Sequence, residues 1–346
     1  MYLLPTSEQE QILDAAKAFL ADEAPISRLR PEHGEIGNED HLLWPKLGEL
    51  GFWNLSLPED QGGVGLSICE EYLLYREFGR HLLSLGALGL TLACRIAAAA
   101  GCRDIVESLA QGNGRVAIAN PRGPMSLGAA SAGRFHLLEG RDAQWVVAWS
   151  DEGSALFHAD QFDVVDEPLA MDSHMTLSRA ELRSTVPVAF VPKSVEDVQG
   201  RALVLISAYA VGIAEATRDE AVEYAKVREQ FGQPIGKFQA VKHRCADMAI
   251  RAEVAYCQAT YSALAYDNML EDRGLQIAGA KILATDTALR NSADNIQTHG
   301  AFGFTAEANA HLFLKRAHTL DFLGGNLRDQ KRAMLRMKGR RDYGVG

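Results

Sequence analysis

A chain of 346 residues is long enough for two or three compact domains around a large core. With 47% hydrophobic and 23% charged residues it has the balance of a soluble globular protein. A formal net charge of −10 argues against nucleic acid as the main partner, though local Lys/Arg clusters can still hold a phosphorylated cofactor.

The first 113 residues read as helical. Thr6-Ser7-Glu8-Gln9 offers cap candidates before an amphipathic run to Ala21. Met1 to Thr6 has no basic region, so no signal peptide is expected. Pro25 and Pro31 bound a loop, and a short helix is expected from His41 to Leu50. The turn from Leu57 to Gly65 contains a Gly63-x-Gly65 pair. It lacks the preceding strand and third Gly of a dinucleotide fingerprint, so its glycines are assigned to the turn. The longest apolar run, Leu82 to Ala100, is interrupted by Ser84, Gly86, Gly89, Thr91 and Arg95. It reads as a buried helix, and no membrane partner is expected.

From Arg115 to Pro192 the pattern changes to short or alternating apolar runs such as Val116 to Ala119, Trp145 to Trp149 and Val186 to Val191. Gly, Pro and Asp punctuate them, as in a small antiparallel β domain. Beyond Gln199 the chain is helical again, with helices expected at 201–228, 237–268, 274–299 and 306–337 and a frayed tail from Lys338. Long helices with short links describe an antiparallel bundle. A diiron bundle would need Glu-x-x-His pairs, and the sequence has none. Glu215, Asp219 and Glu223 have helical spacing and are expected to form a solvated face. The five cysteines are scattered, without a CxxC spacing. A reduced, cytoplasmic protein without a metal site is the expectation. The expected domains are 1–114, helical; 115–196, a reduced β domain; and 197–346, a helical bundle.

One stretch organises the bundle: Tyr224 to Gln239, YAKVREQFGQPIGKFQ. It joins a helix end, a Gly/Pro turn and a helix start near Lys237. Arg228 lies at the closing end of the first helix, where a cation is favourable. The turn gathers a guanidinium, the Phe231 ring and Gly backbone at one corner. That set suits a ligand carrying phosphates and a flat ring. A second Gly-rich turn, Gln297-Thr298-His299-Gly300-Ala301-Phe302-Gly303, closes the next helix but one.

The run Arg228 to Gln239, followed by His243 to Met248, resembles the acyl-CoA dehydrogenase family, FAD-dependent enzymes that desaturate acyl-CoA thioesters. The LGELGF and PEDQGGVGL segments and Glu77-Phe78-Gly79-Arg80 are similar to that family's amino-terminal helical domain. The resemblance implies a mainly α fold with a middle antiparallel β domain and a C-terminal four-helix bundle. It also implies that Arg228, Phe231, Gln297 and Gly300 touch the adenosine diphosphate end of an FAD bound mainly by a neighbouring subunit. Ala301 replaces a family Gly, and its methyl weakens the contact if that position needs positive φ.

The family's base is a Glu near the start of the last helix, or on the helix before the Arg-x-x-Phe-Gly corner. Those positions fall on Gly324 and Ala202, neither of which accepts a proton. Asp321, His299 and His318 are the remaining candidate bases. The family's hydroxyl-bearing loop toward the flavin ring is represented by Asn120-Pro121-Arg122-Gly123, and its next flavin-facing strand is missing. Some bacterial members are heterotetramers of a Glu-bearing and a Glu-lacking chain, several acting on steroid side-chain thioesters, and this chain looks like the second kind. The implied partners are an acyl-CoA substrate, a Glu-bearing homologue and an electron-transfer flavoprotein. A self-sufficient homotetramer with an atypical base and a non-catalytic binding homologue are the alternatives.

Overall fold

A computed structural model describes residues 3–30 and 39–337. The Pro31 boundary and the tail from Lys338 lie outside the described residues. The elements in chain order are α1 (Ser7–Glu23), α2 (Trp44–Glu49), α3 (Ile68–Arg80), α4 (Gly86–Ala99), α5 (Arg103–Ala110), β1 (Val116–Pro121), β2 (Ser131–Leu138), β3 (Trp145–Trp149), β4 (Gly153–His158), β5 (Asp163–Asp166), β6 (Leu177–Thr185), β7 (Ala189–Pro192), α6 (Val198–Val227), β8 (Glu229–Gln230), β9 (Gln233–Pro234), α7 (Gln239–Asp267), α8 (Arg273–His299), α9 (Ala310–Phe322) and α10 (Leu327–Arg336). The protein is mainly α with one central sheet, as its sequence pattern requires. The chain forms two compact units, Met1–Gly34 with Tyr72–Leu82 and Leu203–Gly346, and Glu35–Glu71 with Leu83–Ala202.

The second of these units is built on a seven-stranded sheet of order β5-β6-β2-β1-β3-β4-β7. Alternation explains one face: Ala117 and Ala119, Phe135 and Leu137, Val146 and Ala148, Ala155 and Phe157 share a single buried cluster. On the other face Ile118, Leu138, Val147 and Leu156 are fully buried, and α4 packs on β1, β3, β4 and β7. The apolar run that contains α4 is thus a core helix.

The expected all-antiparallel pattern needs one correction, because β1 and β3 run parallel, Val116 opposite Trp145. The reason lies in the link between β2 and β3. Strand β2 returns to the start of β1, with Leu138 opposite Ile118, and the chain then steps across that end to run up the other side. Glu139 and Asp142 take positive φ, 58° and 57°, to make this short crossing. No further strand intervenes between β2 and β3.

A charged network is buried in the same unit. Arg201, 4% exposed, pairs with Glu71, 3% exposed. It also donates to Ser56 Oγ at 2.8 Å, and Ser56 Oγ donates to Glu71 Oε1 at 2.5 Å. Arg95 holds the Ser56 carbonyl at 2.7 Å and Glu196 at 3.1 Å. The residue next to Arg201 is Ala202, with no exposed surface.

The helical unit contains α1, most of α3, α6 from Leu203 onward, and α7 to α10. Helices α3 and α6 meet through glycine: a Cβ on Gly212 would stand 1.9 Å from the Arg76 carbonyl oxygen, and one on Gly79 would stand 2.0 Å from that of Tyr209. At this crossing Arg76 grips Glu215 through two bonds of 2.7 and 2.9 Å. Glu215 is 6% exposed, so it belongs to a buried ion pair rather than the solvated face expected for it. Close approach of the backbones took it out of water, and Arg76 compensates its charge. Asn291 donates to the Ala214 and Met248 carbonyls at 3.0 Å each, tying α8 to α6 and α7. The expected last helix, 306–337, is broken. It gives α9 and then α10, after the 3-10 segment Gly300–Phe304 that precedes it. Gly324 and Gly325, with φ of 72° and 96°, make the break. Asn326 then starts α10 with a capping box, accepting from the backbone N–H of Arg328 and Asp329.

Candidate cofactor groove

The corner singled out by sequence is a tight hairpin between two helices. Helix α6 ends at Val227, and the Arg228 N–H still bonds the Tyr224 carbonyl at 2.9 Å. Glu229 and Gln230 then pair antiparallel with Pro234 and Gln233. The two loop residues, Phe231 and Gly232, have φ of 52° and 75°. Two left-handed residues in a two-residue loop match the type I′ hairpin turn. Gly suits that conformation, while Phe is strained in it. Ile235 N–H closes the hairpin on the Arg228 carbonyl at 2.7 Å. A Cβ at Gly236 would come 2.9 Å from the Ala225 carbonyl oxygen, so glycine there lets the turn lie against α6. The result is a short, pinned elbow before α7.

Helix α8 ends beside it. Gly300, with φ of 63°, turns the chain into the 3-10 segment Gly300–Phe304. His299 Nδ1 lies 2.9 Å from the Asn295 carbonyl, and its ring stacks on Tyr224 at 4.0 Å and 27°. Phe302 lies nearly parallel to Tyr224, 7° between planes with centroids 6.5 Å apart. Together the two turns form a groove of about 670 Å³ lined by Tyr224, Arg228, Gln230, His299, Gly300 and Phe302, among others.

The groove unites both predicted motifs. Arg228 and Gly300 line it. Arg228 is exposed, and no hydrogen bond or ion pair engages its guanidinium among the described residues. Phe231 stands 92% exposed at the hairpin tip, edge-on to Phe238 at 6.0 Å. Gln297 is exposed on the last turn of α8. Neither of these two lines the groove. Ala301 does, without positive φ. The left-handed residue of that turn is Gly300, so the Ala301 methyl carries no backbone penalty. The aromatic wall of Tyr224, His299 and Phe302 was legible only in part. Tyr224 and Arg228 are four apart on α6 and so share a face. Nothing in the sequence brings α8 alongside them.

The candidate bases lie elsewhere in the structure, apart from His299. At Gly324 a Cβ would meet Leu203 Cδ2 at 2.9 Å. Asp321 is at the end of α9, where its Oδ1 accepts the Leu327 N–H at 3.2 Å. The Leu320 carbonyl of the same turn accepts from Lys281 Nζ at 2.6 Å. Lys281 is 1% exposed, and burial pushes its pKa down to about 7, against the attraction of Asp321. His318 is exposed. His299 sits in the aromatic wall, with one ring nitrogen facing a carbonyl.

The sequence matches two family models, the acyl-CoA dehydrogenase N-terminal domain over residues 6–103 and the acyl-CoA dehydrogenase C-terminal domain over residues 199–337. It is 30% identical over 320 residues to the acyl-CoA dehydrogenase IpdE2 of Mycobacterium tuberculosis, covering 91% of this chain and 92% of that protein. The chain belongs to the acyl-CoA dehydrogenase family. It is thus a member of an oxidoreductase family. It is also 36% identical over 327 residues to the acyl-CoA dehydrogenase FadE34 of the same organism, covering 91% of this chain but 45% of that longer protein. Its fold is shared with a chain of the ChsE4–ChsE5 complex from Mycobacterium tuberculosis, with a TM-score of 0.82, 21% identity, and coverage of 98% and 100%.

The groove fits one end of FAD, the cofactor typical of acyl-CoA dehydrogenases. A diphosphate needs a cation and approachable backbone. Arg228 has no partner among the described residues, and a Cβ on Gly300 would meet nothing within 4 Å. An adenosine needs flat apolar surface, which the three rings provide. The flavin ring is served less well. Asn120, at the end of β1, is buried, and the Asn120-Pro121-Arg122-Gly123 stretch offers no side-chain hydroxyl.

Proposed function

We propose that this chain is the Glu-lacking subunit of an FAD-dependent acyl-CoA dehydrogenase. Its groove completes a cofactor site shared with a homologous, Glu-bearing chain. The observation that carries the reading is the pairing of an open groove at Arg228 and Gly300 with closed, carboxylate-free positions at Gly324 and Ala202. The reaction removes a proton from the carbon α to the thioester and a hydride from the β carbon. When bound, FAD supplies the hydride acceptor. Arg228 holds the diphosphate, and the elbow fixes the backbone that carries this side chain through the bonds at Tyr224 and Ile235. Tyr224, His299 and Phe302 exclude water from one side of the adenosine. The α proton goes to a carboxylate of the partner chain, and electrons leave to an electron-transfer flavoprotein.

Two facts support a two-chain assembly. The fold is that of a chain taken from a ChsE4–ChsE5 complex. FadE34 is about twice as long as the stretch matched here, so one relative of this chain carries a second portion on the same polypeptide. Asp321 gives the homo-oligomeric alternative little support, because its carboxylate already caps the start of α10.

The test is to purify the chain alone and with a Glu-bearing homologue from the same source. The pair should hold flavin and oxidise an acyl-CoA, steroid side-chain thioesters being the first substrates to try. The single chain should do neither. Full flavin loading and turnover by the single chain would end the proposal.

A further inference from the structure

The chain has a net charge of −10, yet its last described helix is basic. Helix α10 carries Arg328, Lys331, Arg332 and Arg336 against the single carboxylate of Asp329. That carboxylate is committed to the capping box, where it accepts the Asn326 N–H at 3.3 Å. Counted from Arg328, the other cations and Leu335 fall at i+3, i+4, i+7 and i+8, so all five share one face. All five are exposed, Leu335 at 88%. No hydrogen bond or ion pair engages the four cationic side chains among the described residues. The opposite face is taken. Helix α10 packs on α8, and Gln330 is buried with its amide on the Gly324 carbonyl at 2.8 Å. Like charges three and four residues apart oppose the helix that carries them. An acidic surface laid along the stripe relieves that repulsion.

The same unit holds a face of opposite sign. On α1, Glu8, Asp14, Ala15, Ala18 and Asp22 are exposed along one side, with Glu10 nearby. Asp14 pairs with Lys17 at 3.6 Å, while Glu8, Glu10 and Asp22 have no partner among the described residues. Between the carboxylates the surface is made of alanine methyls, shallow ground for a leucine. The spacings match: Arg328 and Arg336 are eight residues apart, as are Asp14 and Asp22. With α10 antiparallel to α1, Arg336 at Asp14 and Arg328 at Asp22, Leu335 falls at Ala15.

We infer that the basic stripe of α10 docks on the acidic face of α1 in a second copy of this chain. One chain supplies both halves of the contact. A membrane or a nucleic acid suits the stripe less well, because an extended anionic surface also meets the rest of an acidic chain. Leu335 is the one apolar residue on the free face, too little to enter a bilayer. A two-fold axis makes the contact twice, α10 on α1 and α1 on α10. Exposed ion pairs are individually weak and screened by salt, so the association is reversible and salt-sensitive.

The contact is independent of the groove and of flavin. Sedimentation of the full-length chain at about 20 mM and about 500 mM salt tests it, and association should be about tenfold stronger at the lower value. Lys331→Glu combined with Arg332→Glu should weaken association about tenfold at low salt, and so should Asp14→Lys combined with Asp22→Lys. These side chains are exposed, so both variants should melt with the parent. Mixing the two variants should restore association, because each then offers the charge the other lacks. A parent chain that stays monomeric at low salt would overturn the inference, as would an association that neither charge reversal weakens. Vesicles containing phosphatidylglycerol are the control. If the parent binds them instead of itself, and Lys331→Glu with Arg332→Glu abolishes that binding, the stripe belongs to a lipid surface and the inference fails.

Discussion

Gly300 and Gly324 both hold left-handed backbone at the end of a helix in the same unit, with φ of 63° and 72°. Their surroundings are opposite. Outside Gly300 there is nothing within 4 Å of a would-be Cβ, and a groove of about 670 Å³ opens there. Outside Gly324 the Leu203 side chain stands at 2.9 Å, and the Gly324 carbonyl accepts the Gln330 amide at 2.8 Å. Left-handed glycine marks a turn in both places, and only empty space marks a place for a ligand. The difference separates an open groove from a position whose neighbours leave no room for a side chain.

The largest effect should come from the other closed position. Ala202 adjoins Arg201, whose guanidinium is buried against Glu71 and Ser56. Removing one member of a buried, hydrogen-bonded pair leaves the other charge without compensation, at a cost of about 3–5 kcal/mol. Glu71→Ala should lower stability by that amount in a urea titration. Glu71→Met combined with Arg201→Met should recover most of the loss. If Glu71→Ala unfolds at the same urea concentration as the parent chain, the interior beside Ala202 is wet, and the contrast with the groove collapses.

Lys281 tests how firmly the Gly324 side is closed. Its amine is buried and donates to the Leu320 carbonyl, one turn before Gly324. Burial holds its pKa at about 7, below the usual 10.5. The folded protein therefore gives up a proton that the unfolded chain retains. Between those two values the unfolded state binds more protons, so this residue makes stability rise with pH. Below pH 7 both states are charged and the burial penalty is felt in full. Lys281→Met should flatten the rise in melting temperature between pH 7 and pH 9 relative to the parent. An unchanged slope would mean that water reaches the amine.

On the open side, Arg228→Ala should weaken FAD retention by the assembled enzyme roughly 10- to 100-fold, the worth of a charge-assisted phosphate contact. Its melting temperature without flavin should not move, because the guanidinium has no partner among the described residues. Arg228→Lys should recover only part of the affinity, since an ammonium cannot grip two oxygens in a plane. Equal loss of stability and flavin would make Arg228 a structural residue.

The contrast between the two glycines was not readable before the structure, although both were singled out. The capping box at Thr6 and Gln9, the buried α4, the β region and the elbow all follow from local chemistry, and local patterns reveal them. The sequence reading of Gly324 stopped at the lack of a carboxylate. That Leu203 fills the space depends on α6 passing beside a link more than 100 residues away in sequence, which no periodicity encodes. Glu215 failed for the same reason. Its helical spacing with Asp219 suggested a wet face, and only the close glycine contacts of α3 and α6 bury it. Phe302 likewise joins the wall because α8 ends beside α6.

The smallest expected effect is the one that most sharply tests the division of labour. Asp321 carries the carboxylate nearest in sequence to Gly324, and it already accepts the Leu327 N–H at 3.2 Å. Asparagine keeps an acceptor oxygen of the same reach, so Asp321→Asn should change stability by less than about 0.5 kcal/mol, as for a conservative change that leaves the bond in place. A catalytic base cannot be replaced so quietly. An amide does not take up a proton, and turnover would fall by a factor of roughly 100 or more if Asp321 removed it. The assembled enzyme carrying Asp321→Asn should therefore turn over at the parent rate with the same pH profile. A lost rate with flavin still bound would move the base onto this chain. Gly324 would then border a working site rather than a closed one, and the two glycines would differ in shape alone.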